Sequence, residues 1–337
     1  MITEKKKVDT VSVIVPVYNE EKYIESCIDS ILNQDYDFNK MELIFVDGNS
    51  NDKTKEIISN KLAKKIISYK ILENPRRLTP VSMNIGIKSA SNEIIIRLDA
   101  HSEYPKNYIS KCVYYLNNTE ADNVGCLFDT QGKGTIGKCI ENVLKSKFGV
   151  GNSGFRINSK SGYVETVPYG TFRKELFYRI GYFNEELIRS EDNDFNYRII
   201  KNGGKIYLFN DISIIYHPRN TLKSLSKMAY QNGKWVLYTN YLTPGSMKIR
   251  HFIPMAFVLG LLGGIFCVLF EWKLLTNIFL LCIYIYLFIN ICFTIKHIYK
   301  NGLAQLLCFV IYPLFHISYG IGTIFGIKKI FKKGKVK

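Results

Sequence analysis

Short apolar runs and helix-like repeats alternate through the first hundred residues. Val11–Val15 (Val-Ser-Val-Ile-Val) runs into Pro16, and over Glu21–Gln34 apolar side chains return at Tyr23, Ile24, Cys27, Ile28 and Ile31, the spacing of one helix face. Leu43–Val46 is a second short run, followed by a polar loop (Asp47–Asp52) and a helical stretch, Lys53–Lys64. Ile66–Leu72 predicts a third strand, Thr79–Ser89 a helix and Glu93–Leu98 a fourth strand. Strands rich in β-branched residues and separated by helices predict an α/β fold with a parallel, doubly wound sheet. Ligands of such sheets bind beyond the carboxyl ends of the strands, where Asp47 and Asp99 stand.

Farther on the pattern loosens. Val124–Phe128 predicts a strand, Ile136–Lys147 a helix, Val164–Pro168 a strand, and Phe195–Ile200 lies in a helix opened by acids. Ile206–Leu208 and Ile212–Tyr216 read as short strands. Thr221–Tyr238 is helical, with Leu222, Leu225, Met228, Ala229, Trp235 and Val236 interleaved with Lys223, Lys227 and Lys234. That pattern fits a core helix, and fits better a helix lying on a bilayer surface. Three nearly uncharged stretches then follow, Phe252–Phe270, Leu274–Ile295 and Asn301–Ile327, each at or above the roughly 18 residues that suggest a membrane helix.

Charge sharpens the division. The 337 residues carry 45 Lys and Arg against 29 Asp and Glu; residues 251–337 hold nine basic residues and one acid, Glu271, so each part has a net charge of +8. Basic residues flank the first two apolar stretches as a pair, which predicts a hairpin (252–295) with both ends in the cytoplasm. The third stretch, 301–327, is basic at both ends and interrupted by Pro313 and His316; it is expected to re-enter or lie in the interface. The expected division is therefore a cytoplasmic catalytic domain (1–220), an amphipathic interface region (221–250), membrane segments (251–327) and a basic cytoplasmic tail (328–337). The charged start, Met1–Val8, and the brevity of Val11–Val15 argue against a signal peptide. None of the eight cysteines forms a Cys-x-x-Cys pair, which suits buried thiols in a reducing compartment. The basic charge is spread along the chain and densest after the last apolar stretch, so lipid headgroups, and not nucleic acid, are the expected partner.

One motif is a decoy. Gly132–Cys139 nearly spells a phosphate-binding loop, yet Cys139 stands where a hydroxyl must ligate magnesium, and a thiol is a poor ligand for that hard ion. A glycine loop entering a helix is the plainer reading. More telling are acids spaced through the chain. Val13–Glu20, which includes Pro16, Tyr18 and Glu20, ends a strand in a turn whose backbone groups can read a flat base. Asp47 follows the next strand, where a carboxylate can accept from a base N–H or a ribose hydroxyl. Asp99-Ala100-His101 offers two metal-ligating side chains, and Glu191-Asp192-Asn193-Asp194 sets acids at a helix start. Singly each is weak, since an Asp after a strand is usually a turn former or a helix cap. Arg76 and Arg219 can hold a diphosphate by paired hydrogen bonds or serve as solvated surface charges. His101 can ligate a metal or orient Asp99; His217 can ligate or merely cap a strand end.

Together, in this order, these segments resemble the family-2 inverting glycosyltransferases with a GT-A fold. More narrowly they resemble the bacterial exopolysaccharide enzymes related to the succinoglycan glucosyltransferases, through Asn74-Pro75-Arg76, Thr79-Pro80, Asn84-Ile85-Gly86, Arg97–Ser102, Asp122–Gly125, Phe148–Ser153, Asn196-Tyr197-Arg198 and Tyr216–Arg219. The resemblance covers roughly residues 10–240. It implies a nucleotide-sugar site built from Pro16, Tyr18, Glu20, Asp47, Arg76, Asn84 and Asp99, a Mg²⁺ or Mn²⁺ ion on Asp99, His101 and His217, and Asp192 as the base. Two departures stand out: Gly48 follows Asp47 where the family often has a second Asp, and the family's Asp-x-Asp reads Asp99-Ala100-His101.

The residue types suit the chemistry. Displacing UDP leaves charge on a diphosphate, which a divalent cation neutralises. The incoming hydroxyl is a poor nucleophile until a carboxylate takes its proton. Inversion sets that base across the sugar from the diphosphate, and the 93 residues between Asp99 and Asp192 allow separate segments to supply the two. The expectation is a hexosyltransferase at the bacterial inner membrane, moving sugar from a UDP-sugar to a polyprenyl-diphosphate-linked saccharide during exopolysaccharide or capsule assembly. Rival expectations are a polyprenyl-phosphate glycosyltransferase and a catalytically silent scaffold of a polysaccharide assembly complex. A processive synthase is disfavoured, because the tail has few spans and no Gln-x-x-Arg-Trp follows Asp192.

Overall fold

The computed structural model describes residues 7–63 and 65–334. Its elements are β1 (Val11–Val17), α1 (Ile24–Leu32), β2 (Met41–Asp47), α2 (Thr54–Leu62), β3 (Ser68–Glu73), α3 (Thr79–Ser89), β4 (Ile94–Arg97), α4 (Tyr108–Asn118), β5 (Asn123–Thr130), α5 (Gly134–Leu144) and α6 (Lys147–Val150). Then come β6 (Gly162–Tyr163), β7 (Thr171–Arg173), α7 (Glu175–Ile180), α8 (Glu191–Lys201), β8 (Ile206–Tyr216), α9 (Leu222–Leu242), α10 (Ile253–Leu269), α11 (Lys273–Asn301) and α12 (Cys308–Gly334). They divide into two compact units, residues 1–129 with 158–216, and residues 130–157 with 217–337.

The first unit is a mixed sheet with flanking helices, in the order β3-β2-β1-β4-β7-β5-β8-β6. β3, β2, β1 and β4 run parallel, as the alternating pattern predicts. β7 pairs antiparallel with both β4 and β5, and β6 with β8. β2 is buried at all seven positions, Asp47 included, because helices cover both faces of a parallel sheet. α3 lies so close to β1 that a Cβ on Gly86 would sit 2.5 Å from Ile14 Cγ2. Register aligns the strand ends: Val17 pairs with Asp47, Asp47 with Glu73, and Ile14 with Arg97. The carboxyl ends of β1, β2 and β4 thus open together on one edge.

Local differences from the sequence pattern are few. The expected strand at Val164–Pro168 is absent; β6 precedes it and β7 follows it. The two expected short strands near residue 210 are one continuous strand, β8. Its polar residues Asn210 and Asp211 are exposed within the strand, so a polar interruption marks a solvent-facing stretch and not a turn.

The compact division falls elsewhere than the expected boundary at residue 220. Residues 130–157 leave the first unit because α5 is amphipathic: Cys139, Ile140, Val143 and Leu144 form one core with Leu225, Ala229, Cys308, Ile311, Tyr312 and Phe315. The near phosphate loop becomes the start of α5, where the Gly132 N–H donates to Glu141 Oε2 at 2.9 Å and the Cys139 thiol donates to the Ala304 carbonyl at 3.4 Å. On α9, Leu225, Ala229, Trp235 and Val236 are buried in protein. α9 and α12 approach backbone to backbone, since Cβ atoms on Gly233 and Gly322 would lie 2.0 Å and 2.1 Å from the Tyr319 and Tyr230 carbonyl oxygens. Small residues permit such contact between helices. Phe148, from the sequence motif after α5, packs against the rings of Tyr286, Phe293, Tyr312 and His316.

By length and composition, α11 and the stretch Leu303–Phe331 are long and apolar enough to cross a membrane, with mean hydropathies of 2.5 and 1.6; α10 is shorter, at 17 residues. The third apolar stretch is helical throughout α12, with Pro313 inside it. Of the basic tail, residues 335–337 lie outside the described residues.

Candidate active site

A cleft opens at the carboxyl ends of β1 and β4, lined by Pro16, Tyr18, Glu20, Gly48, Arg77, Arg97, Asp99 and His101 among others. Four of the residues expected to bind the donor therefore share one wall system: Pro16, Tyr18, Glu20 and Asp99. Gly48 explains the departure from a second Asp. A Cβ there would press within 3.3 Å of Tyr18 Cβ and Cδ2, so glycine leaves the Tyr18 ring its place. Arg77 lies over the same ring: its guanidinium carbon is 5.1 Å from the Tyr18 ring centroid, and its Nη1 donates to the Tyr18 hydroxyl at 3.3 Å. Arg77 holds a left-handed backbone (φ 57°), as do Asn19 (54°) and Asn49 (57°) in the adjoining turns. Left-handed non-glycine residues cost about 1 kcal/mol or more each and concentrate where function requires a shape.

Asp47 is wholly buried. Its Oδ2 accepts from the Ser50 N–H at 3.0 Å and faces Lys55 at 3.3 Å, while Oδ1 has no hydrogen-bond partner among the described residues. A buried carboxylate oxygen without a donor is costly unless a ligand supplies one.

Asp99 sits just past β4. Its N–H donates to the Tyr104 hydroxyl at 2.7 Å, and its Oδ1 accepts from Arg97 Nε at 3.3 Å. His101 Nδ1 lies 3.3 Å from Glu20 Oε1. On the far side, the first turn of α8 presents Glu191 and Asp192 after Ser190, whose backbone is left-handed (φ 66°). Arg97 Nη1 donates to Asp192 Oδ1 at 2.8 Å and to Glu191 Oε1 at 3.2 Å. Burial first, then the Asp192 carboxylate, push Glu191 up to about 7. Burial also raises Asp192 against the lowering pull of Arg97. Asp194 is fully buried and instead pairs with Arg198 at 3.0 Å, whose guanidinium donates to the Ile180 and Tyr182 carbonyls.

Two expected donor contacts are engaged elsewhere. The Asn84 amide donates to the Phe183 carbonyl and to Glu185 Oε1 and accepts from the Phe183 N–H. Arg76 is paired with Glu185, so the arginine that lines the cleft is its neighbour Arg77. His217 begins the second unit, and Arg219 lies there too. Among the described residues no group of three or more His, Cys, Asp and Glu side chains is gathered to hold a metal ion. Arg97, Arg77 and Tyr104 had no role in the sequence reading. A signal for the first was present: an arginine ending a run of three isoleucines must be buried, and a buried arginine needs acids.

Residues 12–155 match the family model described as "Glycosyl transferase family 2". The succinoglycan biosynthesis protein ExoA of Rhizobium meliloti is 29% identical over 247 residues, 72% of this chain and 74% of that protein. A Methanococcus voltae enzyme named dolichyl N-acetyl-alpha-D-glucosaminyl phosphate 3-beta-D-2,3-diacetamido-2,3-dideoxy-beta-D-glucuronosyltransferase is 27% identical, over 75% of this chain and 80% of its own. The fold is shared with the mannosyltransferase PcManGT of Pyrobaculum calidifontis, a structure in complex with GDP-Man and Mn2+, at a TM-score of 0.59 and 18% identity, over 98% of this chain and 92% of that one. The fold is that of the GT-A glycosyltransferases. Residues 12–155 are similar to the family-2 glycosyltransferases, and the chain resembles the enzymes of exopolysaccharide synthesis.

Proposed function

We propose that this chain is a membrane-associated inverting hexosyltransferase that moves sugar from a UDP-sugar to a polyprenyl-diphosphate-linked saccharide in exopolysaccharide or capsule biosynthesis, with its catalytic domain at the cytoplasmic face of the inner membrane. The observation that carries it is the meeting of Asp99 and Asp192 on one guanidinium at the mouth of a strand-end cleft. Asp47 and the Tyr18–Arg77 stack take the nucleoside; the buried, partnerless Asp47 Oδ1 is the acceptor that a base N–H or ribose hydroxyl would satisfy. Asp99 and His101 border the same cleft and suit a divalent cation held by few side chains and by the donor phosphates, as Mg²⁺ commonly is. Such an ion, when bound, neutralises charge on the leaving diphosphate. His217 is the candidate third ligand. Asp192 takes the proton of the acceptor hydroxyl. The lipid-linked acceptor is supported by the apolar helices α11 and α12 and by the name of the Methanococcus voltae relative, which acts on a dolichyl-linked sugar phosphate.

The test is Asp192→Asn in the full chain. Nucleotide and metal binding should stay within a few fold, while transfer falls by roughly 10²–10⁴, the usual range for a lost general base. Glu191→Gln and Asp194→Asn run alongside. Wild-type transfer by Asp192→Asn with loss in either companion moves the base; full activity in all three overturns inversion by a carboxylate base.

A further inference from the structure

Arg97 is the last residue of β4 and is only 5% exposed. Burying a guanidinium at the end of an apolar strand is unfavourable unless acids surround it. Here Nε meets Asp99 Oδ1 at 3.3 Å, while Nη1 meets Asp192 Oδ1 at 2.8 Å and Glu191 Oε1 at 3.2 Å. Asp99 follows β4 directly, whereas Glu191 and Asp192 open α8, and the left-handed Ser190 aims them back at the sheet. A planar guanidinium presents its donors at fixed angles, so a single side chain sets the spacing between carboxylates that belong to different elements. Its bond to Asp192 engages one carboxylate oxygen, which orients the group without consuming both acceptors. The ring of Tyr169, 5.8 Å away, packs against the guanidinium.

We infer that Arg97 is a positioning residue: it holds the proton-accepting Asp192 in register with Asp99, so that the acceptor hydroxyl and the leaving diphosphate are presented to opposite sides of the sugar. This rests on the reading of Asp192 as the base. Two features separate it from simple charge compensation. A lysine at position 97 keeps the charge and loses the fork. An amide keeps much of the shape and loses the charge.

The experiment uses the full chain in detergent micelles, with Arg97→Lys, Arg97→Gln, Asp192→Asn and the Arg97→Gln/Asp192→Asn pair. UDP-glucose, UDP-galactose, UDP-N-acetylglucosamine and GDP-mannose are each offered with Mn²⁺ and a polyprenyl-linked lipid extract, and the fastest donor is carried forward. Melting temperature, UDP affinity, donor KM and kcat are read. Arg97→Gln should lower kcat by about 10²-fold, the scale of an ångström-sized misplacement, with donor KM within about three-fold. Arg97→Lys should melt close to the wild type yet regain no more than about a tenth of its kcat. The double variant should be no slower than Asp192→Asn alone, because residues acting as a unit are not additive. If Arg97→Gln fails to fold, Arg97→Lys decides. Wild-type kcat in Arg97→Lys, or a double variant slowed by the product of the single effects, overturns the proposal while an impaired Asp192→Asn leaves the base reading intact. Wild-type transfer by Asp192→Asn overturns both.

Discussion

Glu20 and His101 meet across the cleft, Oε1 to Nδ1 at 3.3 Å, although one follows β1 and the other β4. The contact ties the turn after β1, proposed to hold the nucleotide, to the residues proposed to hold a cation. Donor turnover should therefore stop in excess chelator and recover with Mg²⁺ or Mn²⁺. Asp99→Ala should abolish it, and His101→Ala should raise the Mn²⁺ concentration for half-maximal rate more than it weakens UDP binding. Full activity in chelator would remove the metal from the mechanism.

Asp47 should show the reverse preference. Its buried Oδ1 has no hydrogen-bond partner among the described residues, and a hydrogen bond from the proposed nucleoside to a charged group contributes about 1.5–3 kcal/mol. Asp47→Ala should weaken UDP by roughly 10–100-fold, with Mn²⁺ dependence nearly unchanged. Titration calorimetry with UDP at saturating Mn²⁺ checks this.

Asp194 is expected to act on stability and not on the donor. It is buried against Arg198, which in turn ties α8 to the carbonyls of Ile180 and Tyr182. Breaking a buried pair from one side costs about 3–5 kcal/mol. Asp194→Asn should lower the melting temperature clearly while leaving UDP affinity within a few fold.

Glu191 gives stability a sign with pH. Its folded value, about 7, lies above its ordinary 4.5. Between these values the folded chain keeps a proton that the unfolded chain has released, so the contribution of Glu191 is fully present below the lower value and is lost as pH rises through the upper one. Glu191→Gln should melt less differently between pH 5 and pH 8 than the wild type, by at most about 3 kcal/mol. An identical pH dependence in both would show that Glu191 is ionised throughout.

The C-terminus is expected on the cytoplasmic side. α12 runs along α9, with Ser226 and Ser318 hydroxyls 2.7 Å apart and Lys329 over the Trp235 ring, and α9 carries Lys223, Lys227 and Lys234. Basic residues at both ends of the third apolar stretch, and Pro313 inside α12, fit a segment that re-enters or lies in the interface. A reporter fused after Lys337 should be active in the cytoplasm; activity only outside the cell would require α12 to span.

Periodicity and charge alone determined the alternating strands and helices, the apolar tail, and the places of Asp47, Asp99 and Asp192, because those depend on local spacing and on strand ends. Tertiary structure alone decided what each side chain meets. Asn84 and Arg76 share a sequence neighbourhood with the cleft, yet both are taken by the segment around Phe183 and Glu185. Helix α5 follows β5 in the chain but buries its apolar face on α9 and α12, since one amphipathic stripe fits any complementary core and the sequence does not say which. The sequence places Arg97 within the strand Glu93–Leu98 and does not name its partners. Only folding, which brings the start of α8 to the end of β4, supplied the acids that let its charge be buried.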